Sequence, residues 1–186
     1  LSFTYERRFE GHPAYTELWG IRKSIREMGN RMRKSSYSER EAARSRINHL
    51  RERATELEIQ INEDLFSGAR VIASTLVSSN HRILTGRRFT TLFIDEAAQA
   101  LEAACWIAIR KADRVIFAGD HCQLPPTIKC IEAARNGLEQ TLMEKVAANK
   151  QETVSLLKVQ YRMHQSIMQF SSEWFYQGEL QAAPEV

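Results

Sequence analysis

Two adjacent carboxylates, Asp95 and Glu96, end the short apolar run Leu92-Phe93-Ile94 and are followed by Ala97-Ala98-Gln99. Helices cover both faces of a strand this apolar in a parallel sheet, so acids at its carboxyl end project into the crevice where ligands bind. One acid there can hold a metal ion while the other steers a water molecule. A second apolar run, Arg114-Val115-Ile116-Phe117-Ala118, ends in Gly119-Asp120-His121-Cys122-Gln123-Leu124-Pro125-Pro126. Gly119 permits a tight exit, Asp120 and Gln123 offer an acceptor and an amide, and the prolines stiffen the chain beyond them. A third run, Ser155-Leu156-Leu157-Lys158-Val159, leads into Gln160-Tyr161-Arg162-Met163-His164, which sets an aromatic ring beside a guanidinium suited to phosphate. Each feature has a structural alternative: a solvated acid pair at a strand end, Arg162 in an ion pair, Tyr161 in the core.

The order and wording of these three blocks resemble motifs II, III and IV of superfamily 1 helicases, in the subfamily that includes the nonsense-mediated-decay RNA helicase. The resemblance covers residues 70 to 180. It implies that Asp95 holds the magnesium of Mg-ATP and that Glu96 positions and deprotonates the attacking water. It further implies that Gln123 senses the terminal phosphate and that Tyr161 stacks on the adenine. Arg162 would stabilise charge on the transferring phosphoryl group, as an arginine finger does. Upstream, residues 68 to 76 read as a fourth strand, whose end resembles the family segment that touches the nucleic-acid backbone. Ser74 and Thr75 would be the donors, binding phosphate without reading sequence.

No phosphate-binding loop is present, because none of the eight glycines is followed directly by Lys-Ser or Lys-Thr. The expected fold is therefore α/β: a partial RecA-like parallel sheet of the P-loop NTPase kind without its P-loop strand. The strand order of the family that this chain resembles implies that the strands ending at Ala73, Ile94 and Ala118 form a contiguous group and that the strand at 155 to 159 loses its neighbour. An unpaired edge attracts other chains, so self-association through strand edges is expected unless the last strand moves from the family position.

Before residue 67 the pattern changes to a helical one. Leu18, Ile21, Ile25, Met28 and Met32 recur at intervals of three and four, as do Ala43, Ile47, Leu50, Ala54, Leu57 and Ile61. Two such helices joined by a short loop form an N-terminal antiparallel, coiled-coil hairpin. From residue 18 to 53 there are eleven Lys or Arg against four acids, and from 54 to 66 there are four acids and no base, so the tip is basic. The subfamily carries an accessory nucleic-acid-binding domain on a helical stalk. This hairpin resembles such a stalk, with Arg31, Arg33 and Lys34 as candidate contacts to phosphates, the alternative being a solvated coiled-coil face.

Composition adds bounds rather than identity. The chain of 186 residues is 43% hydrophobic with a net charge of +3, enough for one core and an extension. No apolar run approaches the roughly 20 residues that cross a bilayer. Cys105, Cys122 and Cys130 have no paired spacing and read as reduced thiols, in keeping with a cytoplasmic protein. The expected organisation is a hairpin or stalk at 1–66, a partial ATPase motor domain at 67–163 and the start of a second motor domain at 164–186. The parent is expected to be an ATP-dependent DNA or RNA helicase that uses ATP and Mg2+ and moves on single-stranded nucleic acid. The excised piece by itself should not turn over ATP. The competing reading is a nonenzymatic scaffold with a vestigial motor fold, binding nucleic acid or a partner through the hairpin.

Overall fold

The computed structural model describes residues 3–32 and 37–186, in two compact units divided between Ala73 and Ser74. Arg33 and Lys34 lie outside the described residues.

The first unit is helical: α1 (Tyr5–Glu10), α2 (Tyr15–Met32) and α3 (Tyr37–Ser67). The 31 residues of α3 span about 46 Å at roughly 1.5 Å per residue. The apolar intervals in the sequence mark the faces that meet. Phe9, Leu18, Ala54, Leu57 and Ile61 form one buried cluster, with Tyr15, Ile21 and Leu65 packed on it. The start of α2 thus packs on the end of α3. Met28 and Arg31 at the other end of α2 line a groove with Arg46 and Leu50, so the two helices run in opposite directions. Arg22 pairs with Glu58 at 2.7 Å and Arg53 with Glu17 at 3.0 Å across the seam. These exposed pairs contribute little beside the buried residues. Ahead of α2, His12 accepts the Ala14 N–H through Nδ1 and turns Nε2 toward Asp64 of α3, fastening the α1–α2 turn.

The second unit is α/β. Strands β1 (Phe89–Ile94) and β2 (Ala112–Phe117) are parallel, in register from Phe89 opposite Ala112 to Ile94 opposite Phe117. The connection between them contains α4 (Glu102–Ile109), as parallel pairing requires a crossover. Side chains alternate across the pleat, and only one set reaches the core: Leu92 and Ile94 with Val115 and Phe117. They pack on Cys105 and Ile109 of α4 and on Leu142, Met143 and Val146 of α5 (Leu142–Asn149). The opposite face carries Phe93, which is 68% exposed. Helix α5 starts at a capping box: Thr141 accepts from the Glu144 N–H, and Glu144 accepts from the Thr141 N–H. A second, two-residue parallel pair joins β3 (Val159–Gln160) to β4 (Gln181–Ala182), with α6 (Gln165–Phe175) between them.

Two expected strands are corrected by this arrangement. Residues 68–76 form no strand, and only Val159 of the run 155–159 is in one. A strand exists by its ladder: residues 68–76 pair with no strand among the described residues, and the second run meets β4 only at its end, where the Gln181 N–H donates to Lys158 O and Val159 pairs with Gln181. Val71 and Leu157 accordingly stand 86% and 87% exposed. The sheet around β1 therefore has two strands, without the expected third member ending at Ala73. Among the described residues no helix is long and apolar enough to cross a membrane.

Candidate functional site

The parallel register brings the exits of β1 and β2 together. Beyond Ile94 opposite Phe117, the Ala118 N–H donates to Ile94 O at 2.8 Å and the Ala97 N–H donates back to Ala118 O at 2.9 Å. These two bonds fasten the acid turn to the neighbouring loop. Asp95 and Glu96 sit between them, both exposed, and Asp95 Oδ1 accepts the Glu96 N–H at 3.1 Å. Glu96 adopts a left-handed backbone, φ 52° and ψ 39°. That conformation costs an L-residue roughly 1–2 kcal/mol and turns the chain sharply at the strand end.

Gly119 faces this turn at close range. A Cβ there would lie 2.9 Å from Ala97 N, 3.0 Å from Ala98 N and 3.1 Å from Met143 Sδ. Two of those atoms are backbone and cannot yield, so the absence of a side chain at residue 119 lets the two loops approach. Immediately after it, the Asp120 carboxylate gathers three donors. Oδ1 accepts the Cys122 N–H at 3.0 Å, while Oδ2 accepts Gln123 Nε2 at 2.9 Å and the hydroxyl of Tyr176. Burial pushes the Asp120 carboxyl up, but these hydrogen bonds outweigh it and leave it below the ordinary value. Burial and the bond to Asp120 raise the Tyr176 phenol well above its ordinary value.

Asp120, His121 and Cys122 have one ligand atom each within 4.8 Å of one another. In that cluster the carboxylate is already engaged by three donors, and burial and Asp120 raise the Cys122 thiol, which disfavours the thiolate that a metal would need.

Tyr161 and Arg162 stand on a different turn. Gln160 builds it, accepting the N–H groups of Arg162 and Met163 through Oε1 at 2.8 and 2.9 Å and donating Nε2 to Met163 O at 2.6 Å. His164 then caps α6 by accepting the Ser166 N–H. Tyr161 is 73% exposed, which removes the core alternative for it. Ser74 Oγ donates to Thr75 O, and the Thr75 hydroxyl donates to Ser78 Oγ while accepting the Ser78 N–H. Both hydroxyls are thus engaged in a local turn. Arg31 is an exposed residue beside the groove between α2 and α3.

The structure therefore brings Asp95, Glu96 and Gln123 to one end of one sheet and sets Tyr161 and Arg162 on a turn after a strand of the second sheet in the same unit. Tyr176 and the backbone role of Gln160 were not legible in the sequence. No periodicity links Tyr176 to Asp120, 56 residues earlier.

Residues 9–130 match an AAA domain family, and residues 138–186 match a second family described as an AAA domain. The chain is 38% identical over 172 residues to DNA-binding protein SMUBP-2 of Mesocricetus auratus, covering 89% of this chain and 17% of that protein. It is 40% identical over 123 residues to the DNA replication ATP-dependent helicase/nuclease DNA2 of Xenopus laevis, covering 66% of this chain and 12% of that protein. To the regulator of nonsense transcripts 1 homolog of Drosophila melanogaster it is 41% identical over 118 residues, 63% of this chain and 10% of that protein. The chain thus spans less than a fifth of each of these relatives.

Proposed function

Since the chain belongs to the AAA-domain family, among the superfamily 1 helicases, we propose that it serves ATP-driven movement along, and unwinding of, DNA or RNA. The observation that supports this most is the meeting of the acid turn and the Gln123 loop at the carboxyl ends of adjacent parallel strands. Ligands of open α/β sheets bind at that end.

In this reading ATP enters with magnesium as its counter-ion. Asp95 is the magnesium-side acid: it is exposed, is a hard oxygen donor, and is fixed by its own bond to the Glu96 N–H. Magnesium would neutralise charge on the phosphates. Glu96, at the left-handed residue that ends the turn after β1, orients the attacking water and takes its proton. Gln123 contacts the terminal phosphate with its amide. Arg162 supplies positive charge to the transferring group from the turn after β3, and Tyr161 offers its exposed ring to the base. Residues 67–163 are then part of the first motor domain and 164–186 the entry to the second. The phosphate-cradling lysine is not in this sequence, so the 186-residue chain alone should not hydrolyse ATP.

Single-stranded nucleic acid is the proposed partner, met by Ser74 and Thr75 in the second unit and by Arg31 near the end of α2, with Arg33 and Lys34, outside the described residues, as further candidate contacts. Among the described residues the outer edges of β1 and β2 pair with no further strand, and they are the proposed route of any self-association. The three free thiols accord with a cytoplasmic setting. Two substitutions in the protein that carries this chain test the division of labour between the acids. Glu96→Gln should retain Mg-ATP binding and lose hydrolysis, whereas Asp95→Asn should weaken binding of Mg-ATP itself. Equal losses of binding in both would remove the proposed roles.

A further inference from the structure

We propose that Tyr176 is a positioning residue for Gln123, acting through the Asp120 carboxylate. The proposal deepens the functional reading above and rests on it for the role of Gln123, but the geometry stands without it. Of the three donors on Asp120, the Cys122 N–H and Gln123 Nε2 belong to the same loop as the acid. Gln123 is tied to that loop again through its backbone, whose N–H donates to Asp120 O at 3.1 Å. Bonds internal to a loop fix its shape but not its direction. Tyr176 is the donor that comes from another element, and its hydroxyl shares Oδ2 with the Gln123 amide.

Tyr176 is itself well anchored. Its N–H donates to Ser172 O at 3.0 Å, and the chain then reverses through Gln177 and Gly178, both at positive φ. The Gly178 N–H returns to the same Ser172 O at 2.8 Å, while buried Ser172 Oγ accepts the Leu180 N–H at 3.1 Å. This closed end of α6 holds the phenol at a fixed height above the loop after β2. A rigid tyrosine that occupies one acceptor direction of Oδ2 leaves the other to the Gln123 amide and so defines where that amide points. Displacing α6 from the loop would withdraw one donor from Oδ2 and release the amide. Titratable groups acting on Asp120 are Tyr176 of α6 and, from its own loop, His121 and Cys122.

The test uses the full 186-residue chain labelled with 15N, following the Gln123 side-chain amide resonance, assigned by its loss in Gln123→Leu. In the unsubstituted chain this resonance should lie apart from exposed glutamine amides and move as Asp120 titrates. Tyr176→Phe deletes one oxygen. It should shift the resonance toward the exposed position and raise the pH at which it moves. A folded Tyr176→Phe chain with both quantities unchanged would overturn the proposal. Should that variant not fold, the unsubstituted chain decides: a slowly exchanging Tyr176 hydroxyl proton with a nuclear Overhauser effect to the Gln123 amide protons supports it, and absence of that effect overturns it. None of these readouts involves ATP, so failure of the helicase reading leaves them interpretable.

Discussion

Along α2 and α3 the residues that hold the structure recur every three or four positions, Leu18 on one helix and Ala54, Leu57 and Ile61 on the other. Around the exits of β1 and β2 the decisive features recur at no interval: a left-handed Glu96, a side-chain-free Gly119, and a tyrosine 56 residues from the acid it binds. The helical pair is held by buried volume, whose loss costs energy in proportion to what is removed. The strand exits are held by backbone approach and hydrogen-bond direction, where adding a single carbon costs a large part of what deleting several costs elsewhere.

The largest expected effect breaks the helical seam. Leu57→Ala should destabilise α2–α3 packing by about 3 kcal/mol, whereas the volume-conserving Leu57→Met should cost less than about 1.5 kcal/mol. Urea unfolding followed by helical circular dichroism measures both, and equal losses would mean that volume is not what the seam requires. At the strand exits Gly119→Ala should cost about 2 kcal/mol, because the new methyl meets two backbone nitrogens. It should also displace the amide resonances of Ala97 and Ala98, and an unperturbed spectrum would show that the loops are not in close approach.

Smaller effects sharpen the contrast. Thr141→Ala removes the hydroxyl that caps α5 and should cost about 1 kcal/mol, with Thr141→Ser restoring most of it. Glu96→Gly relieves the left-handed backbone and, after the glycine's own entropy cost, should stabilise the unit by about 0.5 kcal/mol. Hydrolysis in the parent protein should be lost in the same variant, so a gain in stability accompanies a loss of function. The smallest effect is in pH. Because Asp120 sits below its ordinary value when folded, its contribution is complete above the unfolded pKa of about 3.9 and disappears as pH falls through the lower folded value. Tyr176 shifts the other way, so its contribution is complete below the unfolded value of about 10 and is lost as pH rises through the folded one. Asp120→Asn should flatten the acid limb of stability against pH, and an unchanged acid limb would contradict the shift.

The same contrast decides how much was legible in the sequence. Helical periodicity marked Leu18, Leu57 and Ile61 because burial on a helix leaves an interval. Abrupt ends of apolar runs marked Asp95 and Gly119 because parallel strands are apolar until they emerge. The same signal misled at 68–76 and over most of 155–159, where Val71 and Leu157 supply the apolar character of a strand but lie in no ladder among the described residues, the pairing with β4 starting only at Val159. Tyr161 and Arg162 stand at a polar turn, while the residue that builds the turn, Gln160, does so with its side chain on the backbone two and three residues ahead. Glutamine has no strong turn preference that would announce this. The union of Tyr176 with Asp120 depends on the packing of α6, which no local pattern encodes.

Whether the acids after β1 serve strand-driven ATP turnover, as proposed, is read from ATP hydrolysis by the protein carrying this chain, with and without single-stranded RNA or DNA, beside its Glu96→Gln variant. Turnover should be stimulated by a strand and abolished in Glu96→Gln. Turnover unchanged in Glu96→Gln, or none with any strand, would contradict it.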